Sequence, residues 1–139
     1  MREIETAVVR IKQDEGLRLH PYNCTSGKVT IGYGRNLDDV GISEFEADIL
    51  LRNDVERAHK DAISFTGPDV WNGLSHARRA VIINMAFNLG LTRLRAFKSF
   101  HHHLVMSAYA EAAYEMLDSR WARQVGDRAE RLADTMRSG

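Results

Sequence analysis

Glu15-Gly16-Leu17-Arg18-Leu19-His20-Pro21-Tyr22-Asn23-Cys24-Thr25-Ser26-Gly27-Lys28-Val29-Thr30-Ile31-Gly32-Tyr33-Gly34 is the stretch that decides the fold. A helix-type pattern runs up to Glu15 and stops, and an extended, turn-punctuated pattern takes over. Leu17 to Cys24 and Lys28 to Tyr33 both suit strands, with Ser26-Gly27 between them, so the segment predicts a β-hairpin. Pro21 fits an edge strand, because it cannot donate to a ladder. The second run ends in Gly32-Tyr33-Gly34, whose glycines permit tight turns or the close approach of a ligand. There is no GxxxxGK pattern, so this is not a phosphate loop. A carboxylate at a helix end, followed at once by a hairpin, can face the hairpin's side chains. Three groups could act together here: Glu15, Cys24 nine residues on, and Thr30 six further.

Upstream, Ile4, Ala7, Val8 and Ile11 keep the i, i+3, i+4, i+7 spacing of an amphipathic helix over about residues 3–14. Gly16 suits the position just past its end. Downstream, residues 36–41 read as loop. Ser43 with Glu46 three residues on forms a capping box for a helix over 44–64, carried by Phe45, Ile49, Leu50, Val55, Ala58 and Ala62. Such a helix is ~30 Å long, enough to connect two lobes. Thr66-Gly67-Pro68 breaks it. Ser75 caps a helix over 76–89, the most apolar of the chain, closed by Gly90 and expected at the centre of a helical lobe. Shorter helices are predicted over 94–104, 107–117, 119–124 and 127–136. Trp121 is expected in the core, while Trp71 suits the core or an exposed ligand platform.

Bulk composition points to an ordinary globular domain. The 139 residues suit one domain that can bury a core without disulfides, and 44% hydrophobic with 27% charged residues is the usual balance. Lys plus Arg equals Asp plus Glu, so charge gives no case for nucleic acid. From Ala77 onward there are ten Arg or Lys against six Asp or Glu; a basic face toward an anionic polymer and a mixed solvated surface both fit this. A single cysteine excludes an intramolecular disulfide. Met1-Arg2-Glu3-Ile4-Glu5 is charged, with no apolar core of a signal peptide, and no run approaches the ~20 apolar residues of a membrane helix, so neither export by a signal peptide nor stable membrane insertion is expected. His101, His102 and His103 are consecutive and would point three ways from a helix, a poor metal site.

Taken in order, these residues resemble the phage-type lysozymes, the endolysins of glycoside hydrolase family 24. Asp14-Glu15-Gly16-Leu17-Arg18-Leu19 with Tyr22 is similar to the family's opening, and Gly27 with Thr30-Ile31-Gly32-Tyr33-Gly34 to its hairpin. Ala77-Arg78-Arg79-Ala80, Asn84-Met85, Phe87, Ser119-Arg120-Trp121 and Arg128-Ala129-Glu130-Arg131 are similar to its helical lobe. The family's pattern of Glu, eight residues, Asp or Cys, five residues, Thr is matched by Glu15, Cys24 and Thr30. Cys24 stands where many relatives carry Asp, and Arg35 where many carry His.

The resemblance implies a single α+β domain over residues 1–139, mainly helical. Its parts would be a small hairpin lobe (about 12–43), a connecting helix (44–64) and a helical lobe (69–139), with the first helix packing on the helical lobe and a cleft between the lobes. It implies a monomeric endolysin that hydrolyses the β-1,4 bond between N-acetylmuramic acid and N-acetylglucosamine of bacterial peptidoglycan, without a cofactor or metal. Such an enzyme would wait in the host cytoplasm and act on the wall from the periplasm. Glu15 would be the general acid, partly buried, with Arg128 matching the family's arginine beside it. Cys24 would act as base or nucleophile, and Thr30 would position water. Arg35 would pair with Asp54. Asn84, Phe87 and Asn88 would join Arg128 in binding substrate. Asn84 and Asn88 share a helix face, and their amides suit either sugar acetamido groups or the capping of neighbouring helices. Two other functions fit the same scaffold: a lytic transglycosylase, and an inactive peptidoglycan-binding module.

Overall fold

The apolar spacing of the first residues forms α1 (Arg2–Glu15), which Gly16 ends at φ 70° with its N–H on the Lys12 carbonyl. The computed structural model describes all of Met1–Gly139. Next come β1 (Arg18–Asn23), β2 (Val29–Gly32) and β3 (Arg35–Asn36), an antiparallel sheet in the order β1-β2-β3. The hairpin is therefore the expected one, with a short third strand added where sequence reading stopped at Tyr33. Pro21 sits on the edge strand, as expected. Arg18 pairs with Gly32 and Tyr22 with Thr30, so β1 carries two extra residues in a bulge that contains Pro21. The loop also differs from a two-residue turn. The Gly27 N–H bonds the Cys24 carbonyl and the Cys24 N–H bonds the Lys28 carbonyl, with Gly27 at φ 79°.

The remaining elements are α2 (Glu44–Thr66), α3 (Pro68–Gly73), α4 (His76–Leu89), α5 (Leu91–Arg95), α6 (Lys98–Val105), α7 (Tyr109–Leu117), α8 (Arg120–Val125) and α9 (Asp127–Ser138). The class is the α+β arrangement expected, mainly helical with one small sheet. The chain divides into two compact units, Met1–Ile49 and Leu50–Gly139.

In the first unit the capping box forms as read. The Ser43 hydroxyl accepts from the Glu46 N–H at 3.1 Å, and Glu46 Oε1 accepts from the Ser43 N–H at 2.9 Å. Glu46 has a second partner that the sequence did not disclose. Arg35 Nη1 and Nη2 donate to its two oxygens at 3.0 and 2.7 Å, and Nη1 also reaches the Gly41 carbonyl. This corrects the expected pair of Arg35 with Asp54. The carboxylate that caps α2 lies next to β3 and takes the guanidinium in a two-point contact, while Asp54 accepts from Arg57 one turn along its own helix.

The second unit holds the apolar core. Val81, Ile82, Met85, Ala86 and Leu89 of α4 pack with Phe65, Phe100, Leu104, Met116, Trp121 and Met136. Alanines at Ala112, Ala113, Ala129 and Ala133 are fully buried, which lets α7 and α9 approach closely. Each large side chain contributes roughly 1.5–3 kcal/mol by leaving water. Trp71 and Trp121 are both core residues. Ser75 caps α4 through the Arg78 N–H, and Ser119 caps α8 through the Ala122 N–H. Arg78 donates from Nε to the Met136 carbonyl at 2.7 Å and from Nη2 to the Arg137 carbonyl, with its guanidinium 3.8 Å over the Tyr109 ring. Two helix readings are corrected. Pro68 opens the short helix α3 as well as ending α2, since a first-turn proline lacks only an N–H that has no helical partner. The helix expected over 94–104 is split at Ala96-Phe97, where Phe97 leaves helical geometry (ψ 65°) and its ring meets Phe100 and Trp121 edge-on.

Candidate active site

Glu15 is the last residue of α1, and the helix end fixes its Cα. Within its own unit the side chain is exposed. What lies against it is backbone: a Cβ built on Gly34 would fall 2.9 Å from both Cδ and Oε2 of Glu15. Gly34 is at φ 78°, so it serves the turn after β2 and the room for the carboxyl together. The Gly-x-Gly pattern permits a tight turn or a close approach; Gly34 provides the turn, and the group that approaches it is the chain's own carboxyl.

Cys24 opens the hairpin loop and is partly exposed. Its Sγ lies 3.1 Å from Ser26 Oγ. The Ser26 hydroxyl first, then the backbone at Lys28 and Ser26, bring the thiol from its ordinary 9.0 down to about 7. About half of such a thiol is ionised at neutral pH, against a few per cent of a free one. Thr30 is buried on β2 and donates its hydroxyl proton to the Lys28 carbonyl at 2.9 Å. Its oxygen can therefore only accept from a further partner. Cys24, Ser26 and Thr30 thus meet at the loop end of the hairpin. Sequence reading used Ser26 only as a turn residue; a hydroxyl two positions after a cysteine in a tight loop was the available signal.

In the second unit, Asn84, Phe87 and Arg128 line one groove of about 310 Å³ with Leu51, Val55, Ala80 and Ile83. Arg128 donates from Nε and Nη2 to Asn84 Oδ1, at 3.0 and 2.6 Å, tying α9 to α4. Asn88 is not among the lining residues, and its Oδ1 accepts from the Trp121 indole N–H at 2.8 Å. Arg and Trp only donate, so both amides must turn their oxygens inward, leaving their NH₂ groups as the ends that can meet a ligand. Phe87, expected within the most buried helix, is instead 44% exposed and forms an apolar wall of the groove. The donor set contains no metal-binding cluster.

The sequence model described as phage lysozyme matches residues 12–137. Among characterised proteins, probable T4-type lysozyme 1 of Dictyostelium discoideum is 29% identical, over 93% of this chain and 92% of its own length. An endolysin of Acyrthosiphon pisum secondary endosymbiont phage 1 is 28% identical, over 86% of this chain and 79% of its own length. The pre-baseplate central spike protein Gp5 of Enterobacteria phage T4 is 26% identical over 93% of this chain, a match that takes in 27% of that longer protein.

Proposed function

Since this chain belongs to the phage lysozyme family, we propose that it is an endolysin cleaving the β-1,4 bond between N-acetylmuramic acid and N-acetylglucosamine in peptidoglycan. Glycosidic cleavage needs a proton for the leaving oxygen and a group acting at the anomeric carbon. Glu15 is the proton donor, its carboxyl open to solvent beside Gly34. Cys24 is the second group, and the observation that carries the reading is its thiol meeting the hydroxyls of Ser26 and Thr30 at one end of the hairpin. Two routes are open to its thiolate. As a base it takes a proton from a water, which adds to the anomeric carbon as the leaving oxygen takes the proton of Glu15. As a nucleophile it forms a C–S bond while the C–O bond breaks, and a water activated by Glu15 then releases the sugar. In the first route Thr30 accepts from the attacking water, because its own proton is held by the Lys28 carbonyl. The first route inverts the anomer and the second retains it.

Sugar contacts come from the groove of the helical unit. The free NH₂ group of Asn84 suits an acetamido carbonyl or a sugar hydroxyl, and Phe87 suits the apolar face of a pyranose. No helix is long and apolar enough to cross a membrane. As an endolysin it would gather in the cytoplasm of an infected cell and reach the wall through a lesion made by another protein.

The test is lysis of permeabilised Gram-negative cells, followed by turbidity, with mass analysis of the released fragments. Fragments that each carry one added water are expected. Anhydro-sugar ends would mean a lytic transglycosylase, and binding without cleavage an inactive module. Glu15→Gln keeps shape but has no proton to give, so its activity should fall by roughly two to four orders of magnitude with helix content unchanged. A variant retaining a tenth of the activity would remove Glu15 from the acid role.

A further inference from the structure

The loop that closes the hairpin is built around one sulfur. Backbone bonds from the Gly27 N–H to the Cys24 carbonyl and from the Cys24 N–H to the Lys28 carbonyl fix residues 24–28 as a ring. Inside that ring Ser26 Oγ sits 3.1 Å from Cys24 Sγ, a short contact for sulfur. Two hydroxyls are near enough to serve the thiol, and their protons are not equally free. Thr30 donates to the Lys28 carbonyl at 2.9 Å. Ser26 has the sulfur as its hydrogen-bond partner. A hydroxyl is a good donor and a thiol a poor one, whereas a thiolate is a strong acceptor, so this contact favours the ionised sulfur.

We propose that Ser26 is a positioning residue: its hydroxyl donates to Cys24 Sγ, holding the sulfur in place and in its ionised form for the reaction. The inference deepens the reading of Cys24 as the second reacting group and rests on it. Ser26 touches neither the sugar nor the water; it acts through the sulfur. Its place in an exposed turn means that a change there alters the thiol without disturbing a core.

Cys24 is the only cysteine, so its alkylation by iodoacetamide can be followed without interference. Measured against pH, the alkylation rate of the unaltered protein should rise through a midpoint near 7. Ser26→Ala should move the midpoint up by about one unit or more, toward the ordinary 9.0, and cut the rate at pH 7 roughly tenfold. Ser26→Thr, which keeps a hydroxyl, should restore most of it. An unmoved midpoint in Ser26→Ala, or a Ser26→Thr variant indistinguishable from Ser26→Ala, would overturn the proposal. Lytic activity measured over the same pH range separates this from the underlying reading. If the alkylation midpoint moves and activity follows it, both stand. If the midpoint moves and activity does not, the Ser26–Cys24 coupling stands and the reacting role of Cys24 falls. In a Cys24→Asp background, Ser26→Ala should leave the pH profile of lysis unchanged.

Discussion

Gly34 presses its Cα face against the carboxyl of Glu15, so that a methyl group there would come within 2.9 Å of Oε2. Only glycine meets both demands of the position, a positive φ and an empty side-chain space. Gly34→Ala should cost roughly 1–2 kcal/mol for its left-handed backbone and also displace the candidate acid. Gly32→Ala is the control: at φ 71° it bears the same strain, but its Cβ would meet nothing within 4 Å. Both variants should lose similar stability in urea, while lysis falls at least tenfold further in Gly34→Ala. Equal activity in the two would show that the Gly34 contact does not position Glu15.

Cys24 has three informative replacements. Cys24→Asp should keep substantial lysis, since a carboxylate is ionised at neutral pH and can act as base. Cys24→Ser should be far weaker, since an alcohol without an activating base is a poor nucleophile. Cys24→Ala with full activity would reduce the thiol to packing. The pH profile carries a sign as well. The folded thiol lies near 7, below its ordinary 9.0, so a thiolate-dependent activity rises as pH increases through about 7. The same shift adds folded stability that is complete above about 9 and is lost as pH falls through about 7. Thermal unfolding of the unaltered protein against Cys24→Ala across that window measures it.

Glu46 should make the stability of its unit depend on acid. Its bonds from Arg35 first, and from the backbone and hydroxyl of Ser43, hold its carboxyl at about 2, well below the ordinary 4.5. Stability from these bonds is fully present above about 4.5 and is lost as pH falls through about 2. The stability gap between the unaltered protein and Glu46→Gln should therefore stay constant above pH 5 and close between pH 4 and pH 2. A gap that does not change with pH would mean that the ion pair is not what the carboxylate contributes.

The groove amide can be split into its two ends. Asn84→Asp keeps an oxygen for Arg128, now charged, and removes the NH₂ group. Stability should hold or rise, while KM for peptidoglycan increases several-fold. Unchanged KM would mean that Asn84 only ties α4 to α9. Asn88→Ala, by contrast, strands the buried Trp121 indole N–H and should cost about 1–3 kcal/mol, read by urea unfolding.

The local signals in the sequence were legible because each is decided within a few residues. The Ser43 and Glu46 capping box, the Ser75 cap, Gly90 after α4, and Pro21 on an edge strand all lie where their chemistry requires. Partner choice across longer separations was not legible. Nothing in a linear pattern tells Arg35 to take Glu46 rather than Asp54, because both are acids at helical positions and the distance is set by the fold. The break at Phe97 was hidden because the pattern around it is helical, while one ring its own ring meets, Trp121 of α8, lies far along the chain. At the candidate site, spacing picked out Glu15, Cys24 and Thr30, while the contacts of Ser26 with Cys24 and of Gly34 with Glu15 could not be read from a linear pattern.

The clasp between Arg78 and the carbonyls of Met136 and Arg137 also dictates when the protein can become whole. The hairpin joins residues as near as Arg18 and Gly32, so its partners leave the ribosome almost together. The helical unit must wait for the last turn of α9, whose Ala129, Ala133 and Met136 complete the packing of α4. Until α9 has left the ribosome, Ile82 and Met85 lack part of their cover, and long-separation contacts of this kind form late in any case. The helical unit therefore closes only once α9 is available, and a chain stopped short of α9 would leave its centre open.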